Sequence, residues 1–283
     1  MLSCNNKTAF GNLKIDILNQ INNIQGDVAV AFLNLSNLSD TILINVDEKF
    51  HAASTMKVPV MIELYKQQSE NKLQLQDLVT VMNQFKSIVD GSLYSMDIGD
   101  DSDDIIYNKI GTKLTKYDLM YSMVTVSSNL ATNILIEEVD AKKVTATMKS
   151  LGASTMHVLR GVEDQKAYDL GLSNSTTARD LMTIMEAIAL GKAGTTEDCK
   201  AMMSILRDQK WNDMIPKYLP ENIAVAHKTG SITGVHHDAA IVELPYGNSY
   251  ILVLLSKNLK DFDKGTDKLA RISETVYNYV ISK

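Results

Sequence analysis

Apolar positions along the chain follow helical spacing in some segments and strand-like runs in others. Residues 13–24 have apolar side chains at helical spacing, and two short apolar runs follow at 26–36 and 40–47, joined by a polar turn. Near the other end, three strand-like runs within 222–257 precede an amphipathic helix at about 263–282. The pattern predicts a helix and a hairpin at one end, and three strands and a helix at the other.

The middle of the chain is dominated by helical patterns. The predicted helices cover 54–67, 115–125, 129–138, 141–151, 177–190 and 197–208. Strand-rich ends around a helical middle predict an α+β fold, with a five-stranded antiparallel sheet flanked by N- and C-terminal helices and an inserted all-α lobe. We expect one catalytic domain, with an α/β lobe at about 7–53 and 211–283 and an all-α lobe at about 54–210. The segments 83–112 and 158–176 are irregular, and loops of that length are often functional.

Composition narrows the class of protein and of partner. The chain has 283 residues, 45% of them hydrophobic and 22% charged, and a net charge of -6. This balance is typical of a globular protein and argues against nucleic acid as the main partner, which needs a basic surface. No apolar run reaches the roughly 20 residues that span a bilayer. The two cysteines, Cys4 and Cys199, indicate neither a disulfide framework nor a zinc site, although a bridge between them stays open.

The first residues, "MLSCNNK", contain no basic segment followed by an apolar one, so they do not form a complete signal peptide. The letters "LSC" before a polar run resemble the end of a bacterial lipoprotein signal, in which Cys4 would carry the lipid. The alternative is an exposed thiol near the terminus. Both interpretations stay open.

Candidate catalytic chemistry begins at Ser54 and Lys57, in "HAASTMKVPV". Residues three apart on a helix share a face, so the two side chains can come within hydrogen-bond reach. A lysine among apolar neighbours has a lowered pKa and can take the proton of a serine, which makes the serine nucleophilic. Ser69 and Lys72 repeat the spacing in a polar stretch, so the motif alone is weak and the apolar setting favours Ser54.

A second motif, Ser127 and Asn129, lies at the junction of two predicted helices. In a turn between helices, residues two apart can point into one cleft, which a continuous helix would prevent. The alternative is that they cap the second helix.

A third motif, Lys228-Thr229-Gly230, lies on a predicted strand. Glycine there permits close approach of a ligand, while Lys228, Thr229 and Ser231 supply positive charge and donors for a substrate carboxylate. The alternative is an edge strand protected by a charge.

In this order, the three motifs match the Ser-x-x-Lys, Ser-Asp-Asn and Lys-Thr-Gly set of class A β-lactamases and penicillin-binding proteins. The sequence resembles the class A β-lactamase family, and more closely the looser class A-like serine hydrolases of bacteria. The resemblance covers nearly the whole chain, including "FHAASTMKVPV", "SSNLATNILI", "LRGVED" and "HKTGS". It implies an exported bacterial enzyme that needs no metal or cofactor, with its active site between the two lobes.

The resemblance also implies roles for single residues. Ser54 would be the acylated nucleophile, Lys57 its proton acceptor, and Ser127 the hydroxyl that passes a proton to the leaving nitrogen. Asn129 would bind the substrate's side-chain amide. The backbone N–H groups of Ser54 and Ser231 would form the oxyanion hole.

The same resemblance assigns the rest of the site. Lys228, Thr229 and Ser231, with Gly230 between them, would hold the carboxylate end of the substrate. Phe85 looks like the aromatic residue that lines the entrance of the site. The five histidines are predicted to be structural, because Lys57 already fills the role of base.

Two positions depart from the family pattern. Ser128 stands where aspartate is usual, which puts the local hydrogen bonding of its neighbours in question. The family's deacylating glutamate usually lies in an Arg-x-Glu-x-x-x-Asn pattern, whereas here Glu163 follows Arg160 by three residues and Ala167 stands where asparagine is expected. Glu163 is our candidate deacylation base, and the alternative is a loop-stabilising partner of Arg160.

These residues support one leading function and two alternatives. The leading function is hydrolysis of penicillins or cephalosporins, and thus antibiotic resistance, through an acyl-enzyme on Ser54. The first alternative is a D-Ala-D-Ala peptidase or esterase, or a penicillin-binding protein with slow deacylation, acting on a peptidoglycan-like acyl donor; a lesser one is a non-catalytic β-lactam-binding sensor. We expect a monomer located in the periplasm or anchored to the membrane as a lipoprotein.

Overall fold

The computed structural model describes the backbone of residues 2–283 and the side chains of residues 9–245 and 247–283. The helices are α1 Leu2–Ile21, α2 Lys57–Ser69, α3 Lys116–Thr125, α4 Asn129–Val139, α5 Ala141–Ser150, α6 Gln165–Asp169, α7 Ala178–Ala189, α8 Thr196–Arg207 and α9 Phe262–Ile281. The strands are β1 Asp27–Asn34, β2 Thr41–Ile44, β3 Phe50–His51, β4 Leu78–Thr80, β5 Phe85–Lys86, β6 Leu93–Tyr94, β7 Lys113–Thr115, β8 Ser175–Thr176, β9 Ala224–Ile232, β10 Val235–Glu243 and β11 Ser249–Lys257. The predicted helices of the middle segment are thus confirmed to within a few residues.

A five-stranded antiparallel sheet forms the centre of the fold, in the order β2-β1-β11-β10-β9. The predicted sheet and its flanking helices are therefore confirmed. Strand β9 lies at one edge, with Lys228 opposite Ala239 and Gly230 opposite His237 of β10. The Lys-Thr-Gly motif consequently lies on a strand, as predicted, and that strand is at the edge of the sheet, where Lys228 and Thr229 are buried.

Both faces of the sheet are covered, which explains why strands such as β1 and β11 are apolar on both sides. Helices α1 and α9 cover one face, where Ile17 and Leu269 pack with Phe32 of β1. On the other face, β1 and β11 belong to the same apolar core as α2, α3, α4 and α7. The start of α2 is thereby fixed against the sheet, close to β9.

Two details differ from the sequence prediction. Helix α1 ends at Ile21 instead of residue 24, because the chain must turn at Gly26, where an added Cβ would lie 2.9 Å from the carbonyl oxygen of Lys257. The inserted lobe is also not wholly helical, since β4 pairs with β7 and β5 with β6. Ribbons of two or three residue pairs are too short to leave a periodic pattern in the sequence.

The two segments predicted to be irregular are joined to each other. The carboxylate of Asp164 accepts hydrogen bonds from the Ser87 hydroxyl and the Ile88 N–H, both at 2.9 Å, and it also caps α6. Asp164 is buried. The Asp164 carboxylate therefore holds the loop 158–176 against the segment 83–112. Nothing in the spacing of residues along the sequence predicts this contact.

Cys199 is a buried free thiol. The side chain of Cys4 lies outside the described residues. None of the helices described here is both long and apolar enough to cross a membrane.

Candidate active site

The turn that carries Ser54 is a short 3-10 helix, Ala53–Met56, immediately before α2. Ala53 has a φ of 44°, a conformation that alanine adopts only where its surroundings impose it. The Ala53 N–H donates to Nδ1 of His51 at 3.0 Å, and the Thr55 N–H donates to the Ala52 carbonyl at 3.1 Å. These bonds hold the half-buried Ser54 at the surface of a cleft.

His237 supports this turn from the sheet. The Ser256 N–H donates to Nδ1 of His237 at 3.2 Å, so Nε2 of His237 carries the proton and donates to the His51 carbonyl at 2.9 Å. Burial lowers the pKa of His237 to about 4, which keeps the ring neutral and this arrangement intact near neutral pH. These contacts are consistent with the structural role predicted for this histidine.

Lys57 lies one helical turn after Ser54 and is completely buried. Its Nζ donates to the Ser127 carbonyl at 2.6 Å, to the Ser127 hydroxyl at 3.2 Å and to Oδ1 of Asn129 at 2.8 Å. Burial lowers the pKa of Lys57 to about 7, and the negative charges of Asp101 and Glu163 oppose that shift. A substantial fraction of Lys57 is therefore neutral at neutral pH and able to accept a proton.

Ser127 lies in the turn between α3 and α4 and has a φ of 65°. This left-handed conformation ends α3, so α4 begins in a new direction and both Ser127 and Asn129 reach Lys57. Ser128 occupies the N-cap of α4, and its hydroxyl accepts from the Ala131 N–H at 3.3 Å. The helix-capping role that the sequence left open thus belongs to Ser128.

Lys228 reaches the same hydroxyl from the sheet edge. Its Nζ donates to Oγ of Ser127 at 3.0 Å and to the Thr229 carbonyl at 3.0 Å. Burial, and then the nearby charge of Lys57, lower the pKa of Lys228 well below its usual value. Because the Ser127 oxygen accepts from both lysines, its own proton is left to be donated into the cleft.

Gly230 brings the sheet edge against the Ser54 turn. An added Cβ would lie 2.9 Å from the backbone nitrogens of both Ser54 and Thr55. Only glycine permits this approach without displacing one backbone. Ser231, the next residue, is exposed and lines the cleft beside Ser54.

Glu163 lies on the opposite wall of the cleft, with a φ of 61°. Its Oε1 accepts from Nδ2 of Asn129 at 3.4 Å. The side chain is accessible from the cleft, but protein atoms surround enough of it that burial raises its pKa, with Asp100 acting in the same direction. Within the described part of the chain no ion pair joins Arg160 to Glu163, because the Arg160 guanidinium donates to the carbonyls of Gly161 and Leu172.

Asn133 fixes the loop that carries Glu163, and the sequence analysis missed it. Its Oδ1 accepts from the Val162 N–H at 2.6 Å and its Nδ2 donates to the Val162 carbonyl at 3.0 Å. An added Cβ on Gly161 would lie 2.2 Å from Oδ1 of Asn133, so this packing requires glycine. Asn133 follows Asn129 by four residues on the same helix face, which is the signal that could have identified it.

Phe85 does not lie where the resemblance implied. Its ring is only 4% exposed and packs against Tyr94, with ring centroids 5.9 Å apart. It belongs to the apolar core and lines neither of the clefts beside Ser54. The pairing of β5 with β6 turns this side chain inward, which corrects the prediction of an entrance residue.

Two adjoining clefts meet at Ser54. The larger, of about 500 Å³, is lined among others by Asn129, Glu163 and Ser231. The smaller, of about 290 Å³, is lined by Ser127 and Thr229, and also by His236, Trp211 and Phe262, which the sequence analysis did not assign to the site. An extended ligand lying across Ser54 would contact both sets of polar groups.

Comparisons with known proteins show the family and the fold of the chain. A model of the β-lactamase enzyme family matches residues 12–280. A β-lactamase of Bacillus licheniformis is 26% identical over 233 residues, which cover 81% of this chain and 71% of that protein. The crystal structure of a β-lactamase from Sphaerobacter thermophilus DSM 20745 is 25% identical, with a TM-score of 0.79 over 94% of this chain and 97% of that one. The structure of PBP-A, 24% identical, shares the fold with a TM-score of 0.81 over 96% of this chain and 97% of that one.

Proposed function

The chain belongs to the β-lactamase enzyme family, and from this premise we propose that it is a serine β-lactamase that opens the β-lactam ring through an acyl-enzyme on Ser54. The observation that carries the proposal is the buried cluster beside Ser54, in which Lys57 and Lys228 share the hydroxyl of Ser127. A serine hydroxyl needs a base, and a lysine with a pKa of about 7 is suited to that role.

In the acylation step, neutral Lys57 takes the proton of Ser54 as its oxygen attacks the lactam carbonyl. The N–H groups of Ser54 and Ser231 stabilise the oxyanion. The C–N bond of the ring then breaks, and Ser127 gives its proton to the leaving nitrogen. The two lysines bonded to the Ser127 oxygen support this last role, because they leave its O–H directed at the substrate. Ser127 in turn takes the proton that Lys57 received from Ser54, along the hydrogen bond between them, which returns Lys57 to its neutral form.

The two clefts suggest how the substrate lies. Lys228, Thr229 and Ser231 hold the carboxylate in the smaller cleft, with Gly230 allowing its close approach. Asn129 binds the side-chain amide in the larger cleft. This orientation puts the lactam carbonyl at Ser54, between the two.

Deacylation needs a base on the other wall of the cleft, and we assign it to Glu163. As a carboxylate it takes a proton from water, whose oxygen attacks the ester carbonyl. The bond between that carbon and the Ser54 oxygen then breaks, and the proton passes to Ser54, which restores the serine hydroxyl and the Glu163 carboxylate. Its position in the larger cleft and its contact with Asn129 support the assignment. The lack of an ion pair to Arg160 among the described residues weakens the alternative of a loop-stabilising role.

One observation favours the alternative of slow deacylation. Ala167 stands where the family pattern has asparagine, and it is fully buried in α6. No polar side chain from that position helps to orient the water. An enzyme in which Glu163 alone does not suffice would act as a penicillin-binding protein or as a D-Ala-D-Ala peptidase on peptidoglycan-like donors.

Export belongs to the same proposal. The resemblance of "LSC" to the end of a lipoprotein signal supports an exported, lipid-anchored form through Cys4. We also propose that one chain, with its α/β and helical lobes on either side of the clefts, forms the complete catalytic unit.

The rate of acylation is expected to rise with pH through the region of about pH 7. The pKa of Lys57 is lowered to about 7, and only its neutral form accepts a proton, so activity is lost as the pH falls below that value. Single-turnover measurements with a chromogenic cephalosporin at a series of pH values would give this profile. An acylation rate that stays constant down to about pH 5 would exclude Lys57 as the base.

Replacing Gly230 with alanine is expected to slow acylation roughly tenfold or more, because the added Cβ would push β9 away from the Ser54 turn. The control is Gly11→Ala, where an added Cβ meets no atom within 4 Å. Equal acylation rates for both variants would show that close contact between β9 and the turn is not needed. The measurement is the rate of covalent labelling by a penicillin.

A further inference from the structure

The carboxylate of Asp101, in the long irregular segment 83–112, accepts hydrogen bonds from the start of α4. The backbone N–H groups of Asn129 and Leu130 donate to Oδ1 and Oδ2 of Asp101, each at 2.8 Å. Ser128 cannot serve these two groups, because its hydroxyl already accepts from the Ala131 N–H. Asp101 thus satisfies two donors at the start of the helix that would otherwise lack partners.

Asp101 is itself held in place by its own loop. The Tyr107 hydroxyl donates to Oδ2 of Asp101 at 3.1 Å, and the Asp103 N–H donates to Oδ1 at 3.2 Å. The Asp103 carboxylate in turn accepts from the Ser122 hydroxyl of α3. The loop is therefore tied to both helices that meet at Ser127.

We propose that Asp101 is a positioning residue for the active site: it fixes the start of α4 so that Asn129 stays bonded to Lys57, and it supplies negative charge opposite that lysine. The Ser128 position, where the family pattern has aspartate, lacks that charge, and Asp101, which precedes Asn129 by 28 residues, provides a carboxylate. This inference rests on the proposed function only in taking Lys57 as the base.

The charges around Lys57 determine whether its pKa rises or falls when the Asp101 carboxylate is removed. Lys228 donates to the same Ser127 hydroxyl as Lys57 does. The Glu163 carboxylate accepts from the Asn129 side chain, and the Asp101 carboxylate accepts from the Asn129 N–H. Of the two carboxylates, Asp101 raises the pKa of Lys57 more than Glu163 does. Removing the Asp101 charge leaves Lys57 facing Lys228 with one carboxylate fewer, so the pKa of Lys57 falls further.

The test is a direct titration of Lys57 by NMR, in protein labelled with ¹³C-lysine and without substrate. The Lys57 signal is assigned as the one that disappears in Lys57→Met. In Asp101→Asn we expect the pKa of Lys57 to fall by roughly one pH unit. The control is Asp104→Asn, on the same loop, whose exposed carboxylate has no hydrogen-bond partner among the described residues; there the titration should not move.

An unchanged Lys57 titration in folded Asp101→Asn overturns the inference, and so does an equal fall in Asp104→Asn. If Asp101→Asn does not fold, Asp101→Glu is measured in its place. This variant keeps the charge but changes the length of the side chain. The Lys57 pKa should then stay within a few tenths of the wild-type value while acylation slows, and a large fall in that pKa overturns the inference. Penicillin labelling of the wild type is measured alongside, so a failure of the proposed function is seen separately from a failure of this inference.

Discussion

Replacing Ser54 with alanine is expected to abolish covalent labelling by a penicillin and to lower turnover by roughly 10⁴-fold or more. Alanine has no oxygen to attack the lactam carbonyl, and no neighbouring group can replace it. Lys57 cannot serve as the nucleophile in its place, because its Nζ is completely buried and bonded to Ser127 and Asn129. The measurement is intact-mass spectrometry after incubation with penicillin, combined with steady-state hydrolysis.

The matched control is Ser69→Ala, at the second Ser-x-x-Lys of the chain. Ser69 is exposed at the end of α2 and donates to the Lys66 carbonyl, while Lys72 pairs with Glu70 at 2.6 Å. Labelling of this variant should equal that of the wild type. A penicillin adduct on Ser54→Ala, or loss of labelling in Ser69→Ala, would place the nucleophile elsewhere.

Replacing Glu163 with glutamine is expected to preserve acylation but to slow deacylation by roughly 10² to 10⁴-fold, so that the adduct accumulates. Glutamine keeps the size of the side chain and an oxygen that can accept from Asn129, but it cannot take a proton from water. Burst kinetics with a chromogenic cephalosporin would show one rapid equivalent followed by slow turnover. The mass of the protein would increase by that of the acyl group during the slow phase.

The control for this variant is Glu197→Gln, which removes an acidic side chain in the first turn of α8. It should retain wild-type burst and turnover. Unchanged turnover in Glu163→Gln would remove Glu163 from the deacylation step. The slow-deacylating alternative predicts instead that even the wild type shows the burst and the lasting adduct.

The architecture was largely predictable because its elements are long and strongly patterned. Strands β1 and β11 are largely apolar runs covered on both faces, and such runs stand out in the sequence. Strands β9 and β10 mix buried polar residues with apolar ones, but each is nine residues long. The helices of the middle segment have regular apolar spacing and clear capping residues. Thr115 and Thr195, for example, each form a capping box at the start of α3 and α8.

The cluster around Ser54 was predictable for a different reason. Ser54 and Lys57 are local, but Ser127 and Lys228 come from distant parts of the chain, and only the order of three motifs linked them. The structure joins the side chains of Lys57, Ser127 and Lys228 by hydrogen bonds, beside the turn that carries Ser54. Their roles in catalysis remain our proposal, which the variants above test.

The contribution of the long loop could not be predicted. The Asp101 carboxylate accepts from the N–H groups of Asn129 and Leu130, and that of Asp164 accepts from Ser87, across separations that no periodicity encodes. Phe85 could not be placed correctly for a similar reason. The resemblance gives its position in the sequence, but not the face of the two-residue strand β5 on which its side chain lies. Such details depend on long-range pairing of side chains with backbone groups.

The most direct test of the central claim is intact-mass spectrometry of the wild-type protein over time after addition of a penicillin. We predict an adduct of one acyl group on Ser54 that forms rapidly and then clears as free enzyme returns. A protein that never gains mass, whether the penicillin is consumed or not, would contradict the acyl-enzyme mechanism. An adduct that forms and persists would contradict β-lactam hydrolysis and favour a penicillin-binding protein.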